Sequence, residues 1–246
     1  MIGLPRRLLA ELLGTGLLVT VVVGSGIAAQ QLSPGQVGLQ LLENSTTTVL
    51  GLAVLILLFG PVSGAHFKSG RLGGGLVAGP PKRDWFIWPG SVGLHRIQLI
   101  GAVGGALLAN VMFGLSLFQV SHKPRAGVGL WVGEIVATAG LIALIVVLAR
   151  TGRVAVSAGA VGAYIGAAYW FTSSTSFANP AVTVGRVFSD TFAGISPASV
   201  PGFVLAQLVG GVLGAGLAVV LYPDAGQAAA HVVVPHPATA ESRGLT

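Results

Sequence analysis

Apolar positions along this chain come in long blocks separated by short polar or glycine-rich stretches. A helix needs about 20 apolar residues to cross the hydrocarbon core of a bilayer. Six blocks approach or exceed that length, at residues 8–32, 45–64, 97–117, 129–148, 154–171 and 200–221. The pattern predicts an all-α protein with six transmembrane helices in the lipid bilayer.

One further apolar segment, after Asn179, is too short to span. Asn179 is a strong helix N-cap, and Pro180 suits the first helical position, where its missing N–H has no intrahelical partner. Only about ten residues separate Asn179 from the polar residues 189–190, about half of a span. A half-helix starting at membrane depth is typical of a solute pore, because its backbone donors and dipole face the permeating molecule.

The two halves of the chain repeat each other. Ala-Glu-Leu-Leu-Gly-Thr at 10–15 is echoed by Gly-Glu-Ile-Val-Ala-Thr at 133–138, and Gln-Leu-Ile-Gly at 98–101 by Gln-Leu-Val-Gly at 207–210. Since each half holds three spans, the copies run in opposite directions through the membrane. An inverted repeat predicts a site near the midplane, between the halves.

A carboxylate lies within the first and the fourth predicted spans, at Glu11 and Glu134. A charge there is costly, so both should face the interior and accept hydrogen bonds from the backbone of re-entrant loops. The alternative is a glutamate near a helix end that reaches the membrane surface. The matching repeat positions favour a shared structural role.

Composition excludes an ordinary soluble domain: 53% of residues are hydrophobic, 8% are charged, and the mean hydropathy is +0.84. The net charge of +6 does not indicate nucleic acid, because the basic residues form no dense run. With an even number of spans, ten basic residues lie on the side of the termini and three, Lys123, Arg125 and Arg186, on the other. This bias predicts a multi-pass protein of the cell membrane with cytoplasmic termini.

Catalytic chemistry is not indicated. No Ser/His/Asp set and no complete phosphate-binding loop is present, and the histidines lack metal-ligand spacing. We therefore expect no enzyme activity, no cofactor and no metal. Residues 224–246 are rich in alanine, proline and histidine and have no periodicity, which predicts a disordered tail after a channel domain at 1–223.

Three motifs together carry a family resemblance: Ala-Glu-x-x-Gly-Thr at 10–15, Ser-Gly-Ala-His-Phe at 63–67 and Phe-Ala-Asn-Pro-Ala-Val at 177–182. Over about residues 5–222 the chain resembles the major intrinsic protein family, the aquaporins and glycerol facilitators. The resemblance implies a passive channel for water or small neutral solutes, with two half-helices that each begin with Asn-Pro-Ala, and a homotetramer with one pore per subunit. Asn179, Pro180 and Ala181 are then the second pore motif. His66 would lie near the first, or be a buried core histidine.

The first pore motif is absent, because Lys68, Ser69 and Gly70 stand where Asn-Pro-Ala is expected. In one interpretation, a lysine ammonium lies at the pore centre and obstructs conduction. In the other, residues 68–97 are in a shifted frame: codons can be chosen so that removing one nucleotide in the Lys68 codon yields Asn-Pro-Ala. We hypothesise a pair of compensating insertions or deletions, and resequencing the coding DNA tests it.

The selectivity filter also departs from the family pattern. The arginine that usually follows the second Asn-Pro-Ala and narrows the outer mouth is replaced by Val182, and Arg186 is expected to pair with Asp190 or to reach the surface. Family spacing places the other filter positions at Thr48, Ala167 or Ala168, and Ser176, with Tyr169 as an alternative. Such a wide, neutral filter suits glycerol or neutral metalloid hydroxides such as arsenite.

Two other functions remain open at this point. An inverted-repeat secondary transporter would need charges at the midplane site, and the chain has few besides the two repeated glutamates. A non-conducting membrane protein would result if the altered stretch at 68–97 had abolished the first half of the pore.

Overall fold

A computed structural model of the protein describes residues 3–64 and 89–223, with side chains from residue 93 onward in the second range. Within these ranges the chain is helical and contains no strand. The long helices are α1 (Leu4–Leu32), α2 (Val37–Ser63), α3 (Pro89–Met112), α4 (Val128–Arg150), α5 (Ser157–Phe171) and α7 (Val200–Leu221); α6 (Pro180–Gly185) is short. Six helices are long and apolar enough to cross a membrane. The predicted fold class is confirmed.

Helix α2 begins earlier than the apolar pattern predicted, at Val37 instead of residue 45. Two polar residues in this first part, Gln40 and Asn44, are buried because their amides donate across the α1–α2 contact. Gln40 donates to the carbonyl of Ser33 at 2.8 Å, and Asn44 donates to that of Val22 at 2.9 Å. The helix therefore extends beyond the apolar block, because these polar side chains are buried with hydrogen-bond partners.

Helix α3 begins at Pro89 and ends at Met112, earlier than the predicted residue 117. Gly114 has φ of 70°, a left-handed conformation that ends the helix. The buried Asn110 then donates to the carbonyl of Phe188 at 2.8 Å and ties the end of α3 to the segment after α6. The last part of the atypical stretch 68–97, from residue 89 onward, forms the beginning of α3. Residues 65–88 lie outside the described residues.

Large apolar side chains cover the outer surface of the bundle. On α2, Leu50, Val54, Leu57 and Leu58 are each more than half exposed, between 59% and 64%. In water such a surface would drive aggregation, whereas lipid tails accommodate it.

The two halves pack by the same device, a close approach of backbones at glycine. A Cβ atom at Gly101 or Gly105 of α3 would meet a carbonyl oxygen of α1, at Leu12 and Gly16 respectively. At the equivalent positions in the second half, a Cβ at Gly210 or Gly214 of α7 would meet the carbonyls of Ile135 and Ala139 in α4. The repeat seen in the sequence is thus also a repeat of helix contacts, as expected where small residues set the helix separation in lipid.

Replacing Gly105 by alanine tests this packing. The added methyl would overlap the carbonyl oxygen of Gly16, so α1 and α3 must separate, at an expected cost of about 1–3 kcal/mol. The measurement is thermal unfolding of the purified protein in detergent. Gly104→Ala is the matched control, because a Cβ there has nothing within 4 Å. Equal melting temperatures for the two variants would contradict the proposed contact.

Candidate functional site

Helix α6 begins inside the bundle as the sequence predicted, with Asn179 as its N-cap. The Asn179 side-chain oxygen accepts hydrogen bonds from the backbone N–H of Ala181, at 2.9 Å, and of Val182, at 3.3 Å. Pro180 occupies the first position of the helix, where an N–H is not needed. The helix has six residues and continues as the 3₁₀ turn Arg186–Phe188, so it cannot cross the membrane. It is a half-helix at membrane depth.

The segment before α6 has an unusual backbone. Thr175, Ser176 and Ala178 all have positive φ, between 46° and 60°, which costs free energy for residues with a side chain. Glu134 of α4, fully buried, holds this segment in place: its carboxylate accepts hydrogen bonds from the N–H of Phe177, at 3.2 Å, and of Ala178. Glu134 therefore accepts hydrogen bonds from the backbone of the segment that leads into α6.

A second set of hydrogen bonds connects α7 to the start of α6. The Gln207 amide donates to Glu134 at 3.3 Å and to the Thr183 hydroxyl at 2.8 Å. Thr183 in turn donates to the backbone carbonyl of Asn179 at 2.8 Å. In the first half, Gln98 donates to Glu11 at 2.7 Å, which repeats the Gln207–Glu134 pair. Both glutamates therefore face the interior rather than the membrane surface.

Two cavities meet at the beginning of α6. The larger, about 270 Å³, lies beside Gln98, Thr138 and Gln207; the smaller, about 40 Å³, lies between α2, α5 and α6. Ala178 and Asn179 line both of them. We call these the inner and the outer cavity. A hydrogen-bonding residue thus stands at the junction of a wide and a narrow space.

Arg186 lines the outer cavity, and the prediction that it pairs with Asp190 or reaches the surface is wrong. It is only 2% exposed, its Nε donates to the carbonyl of Ala193, and its Cζ lies 3.4 Å from the ring centroid of Phe177. Asp190 binds His122 instead, with 3.0 Å between its Oδ2 and the ring Nδ1. Hydrogen bonds from His122 lower the pKa of the Asp190 carboxyl.

Lys123 and Arg125, in the connection between α3 and α4, donate to the loop at 192–194, whose Ala193 carbonyl accepts from Arg186. Lys123 donates to the carbonyl of Phe192 at 2.8 Å, and the Arg125 Nε donates to that of Gly194 at 2.9 Å. Burial, together with the charges of Arg125 and Arg186, lowers the pKa of Lys123 to about 8. Burial lowers the pKa of Arg125 to about 10.

Comparison with known proteins gives the family. The chain is 46% identical over 218 residues to Aquaglyceroporin AqpS of Rhizobium meliloti (strain 1021), covering 85% of this chain and 87% of that protein. The chain belongs to the major intrinsic protein family. None of the family models compared with the chain matches it.

Two more similarities agree with this assignment. The chain is 31% identical over 140 residues to Probable aquaporin NIP7-1 of Arabidopsis thaliana, covering 56% of this chain and 48% of that protein. The X-ray structure of the aquaglyceroporin from Plasmodium falciparum superposes with a TM-score of 0.64 at 18% identity, over 92% of this chain and all of that one. Members of this family are channels and not enzymes, and this chain is a passive channel for water and small solutes.

Most of the residues expected from the sequence to form a selectivity filter line the outer cavity. Thr48, Ser176 and Val182, named from the sequence, all line it. Ala167 does not: it is exposed on the outer surface of α5, so this expected filter position is corrected. Tyr169, the alternative, is 3% exposed and lines the cavity, where its hydroxyl lies 3.3 Å from the hydroxyl of Thr48.

Other predicted residues lie outside the described residues: His66 and the altered first motif at Lys68, Ser69 and Gly70, together with the tail at 224–246. Among the described residues, no group of three histidine or acidic side chains is arranged to hold a metal ion.

Replacing Glu134 by glutamine tests its support of the strained segment. The amide keeps one acceptor oxygen and turns a donor toward groups that are themselves donors, so we expect a loss of about 1.5–3 kcal/mol in stability. The measurement is the melting temperature in detergent. Glu43→Gln is the matched control, since Glu43 accepts from one hydroxyl, that of Ser33, and supports no re-entrant segment. Unchanged melting of Glu134→Gln would contradict the assigned role.

Proposed function

We propose that this channel passes uncharged polyhydroxylated solutes of glycerol size as well as water, through a path beside Asn179. The observation that carries the proposal is Val182 in the outer cavity, where the family usually has an arginine. A valine side chain is shorter and carries no donor, so position 182 leaves more room than an arginine would and adds no charge. The relative at 46% identity is an aquaglyceroporin, which supports this solute class.

The polar groups of the outer cavity suit a hydroxylated solute. Ser176 Oγ is buried and, among the described residues, no group forms a hydrogen bond with it. A buried hydroxyl without a partner costs free energy, which a passing water or alcohol offsets by supplying a hydrogen bond. Thr48 and Tyr169 add two more hydroxyls, while Leu52 and Val161 line the apolar side. Glycerol presents a carbon backbone and hydroxyls to such a surface.

Neutral metalloid hydroxides, such as the protonated form of arsenite, belong to the same solute class. They carry several hydroxyl groups, no charge and a size close to that of glycerol. Asn179 would donate to the solute at the junction of the cavities, Pro180 and Ala181 would fix the start of α6, and Val182 would set the width of the outer constriction. A charged solute would have to leave its hydration shell in an apolar wall, at a much greater cost.

The membrane arrangement we propose is a homotetramer in the cell membrane with cytoplasmic termini. The orientation rests on ten basic residues on the side of the termini against three on the other. The tetramer rests on the family resemblance, with one pore in each subunit.

The altered first motif is part of the proposal. We expect a lysine at position 68 to weaken conduction, because an ammonium at the pore centre opposes neutral flow. A secondary transporter is the alternative, and its flux would depend on an ion gradient.

Val182→Arg tests the width of the filter. The longer cationic side chain should lower glycerol permeability relative to water permeability by about tenfold, which corresponds to about 1.4 kcal/mol in the barrier. The measurement is stopped-flow swelling of proteoliposomes. Val182→Met is the control for size without charge, and its glycerol-to-water permeability ratio should lie between those of the parent and of Val182→Arg. A glycerol-to-water ratio unchanged in both variants would remove Val182 from the filter.

A version with Asn-Pro-Ala at 68–70 and the corrected downstream frame tests the first motif. We expect it to conduct water and glycerol several-fold faster than the chain as it stands, because the ammonium is removed and a second asparagine is added. Swelling is measured with and without an ion gradient. Equal flux in both versions would mean that Lys68 does not obstruct the pore, and flux that needs the gradient would indicate the transporter.

A further inference from the structure

The three basic residues on the outer side, which are far apart in sequence, converge on one short row of backbone carbonyls. Phe192 O accepts from Lys123 Nζ at 2.8 Å and from Arg125 Nη2 at 3.2 Å. Gly194 O accepts from Arg125 Nε at 2.9 Å, and Ala193 O accepts from Arg186 Nε. The loop at 192–194 therefore holds three cationic side chains together.

Carbonyl dipoles position these cations but do not cancel their charge. Within the described ranges, no carboxylate lies at ion-pair distance from Lys123, Arg125 or Arg186: Asp190 binds His122 instead, and the buried Glu134 acts on the two arginines only from a greater distance. Like-charged groups held together in a poorly solvated place create a positive potential around them. The outer end of the pore is electropositive.

Only Arg186 of the three lines the outer cavity. It lies four residues after Val182, about one helical turn further toward the outer side. Its Nε is held by Ala193 O and its guanidinium lies on the Phe177 ring, while no described residue accepts a hydrogen bond from either Nη atom. The free edge of a fixed guanidinium is thus part of the cavity wall.

We infer that Arg186 is the residue that excludes cations from this channel, displaced by one helical turn from the residue that sets the pore width. Size selection at Val182 and charge selection at Arg186 are then separate, whereas an arginine at position 182 would combine them. A neutral solute crosses the filter at Val182, and a cation meets the guanidinium of Arg186 in the outer cavity. This inference rests on the proposed pore through the outer cavity.

The test compares Arg186→Met, Arg186→Lys and Arg125→Met. Methionine keeps a long side chain over the Phe177 ring without the charge, and lysine keeps the charge. Arg125→Met is the matched control: its Cζ lies 5.0 Å from the centroid of the same ring and it binds the same carbonyl row, but it does not line the cavity. Proteoliposomes are measured for glycerol swelling and for potassium and proton leak, in the chain as it stands and with Asn-Pro-Ala restored at 68–70.

We expect Arg186→Met to raise cation leak relative to glycerol flux by about tenfold, the change for a barrier about 1.4 kcal/mol lower. Arg186→Lys and Arg125→Met should keep the low leak of the parent. Unchanged leak in Arg186→Met, or equal leak in Arg125→Met, would overturn the inference. So would loss of glycerol flux in both Arg186 variants, which would make the residue structural.

Arg186→Gln covers the case in which Arg186→Met does not fold, because it keeps an N–H donor for the Ala193 carbonyl without the charge; it should show the same rise in cation leak, and a leak as low as that of the parent would overturn the inference. A double variant tests whether a guanidinium at position 182 restores cation exclusion. Val182→Arg with Arg186→Met returns a guanidinium to the filter and should have low cation leak together with low glycerol flux. High leak in this double variant would overturn the inference. Absence of glycerol flux in every version, including the two parents, would instead contradict the proposed function.

Discussion

The segment that leads into α6 depends on the carboxylate of Glu134. A membrane interior offers no water to backbone N–H groups, so an irregular segment at that depth needs acceptors from the protein. Residues 175–178 are such a segment, with three side-chain-bearing residues at positive φ. Glu134 accepts from two of their N–H groups, and Gln207 connects the same carboxylate to Thr183. Because Thr183 also donates to the carbonyl of Asn179, the position of Asn179 depends on this one buried carboxylate.

The helix contacts around this network explain why the sequence repeats where it does. Glycine in α3 and α7 lets each helix approach the carbonyls of its partner, and the glutamine of each pair comes within reach of the glutamate. The repeated letters are therefore those that fix helix separation and those that satisfy a buried carboxylate. Residues that only face lipid are free to differ, as the exposed leucines and valines of α2 illustrate.

Local chemistry made much of the fold predictable. The six spans follow from apolar length, and the start of α6 follows from the capping preferences of asparagine and proline, which need no tertiary information. The start of α2 was missed because Gln40 and Asn44 are polar, and only their contacts with α1 show that they are buried. Ala167 was placed by family spacing, but the residues of α5 that line the outer cavity, Val161, Ile165 and Tyr169, are four apart and so share one face of the helix, which Ala167 does not.

The partner of the charged residue Arg186 could not be predicted from the sequence either. A spacing of four residues predicts a helical ion pair with Asp190, yet the helix tightens to a 3₁₀ turn at Arg186–Phe188 and ends, so Asp190 leaves the helical register. The chain then folds back and presents the carbonyl of Ala193 to the guanidinium. A carboxylate at that place would hold the arginine and neutralise its charge. The carbonyl holds the guanidinium by a hydrogen bond but does not neutralise it. The inferred role of Arg186 depends on this choice of acceptor, because a carbonyl leaves the guanidinium charged beside the outer cavity.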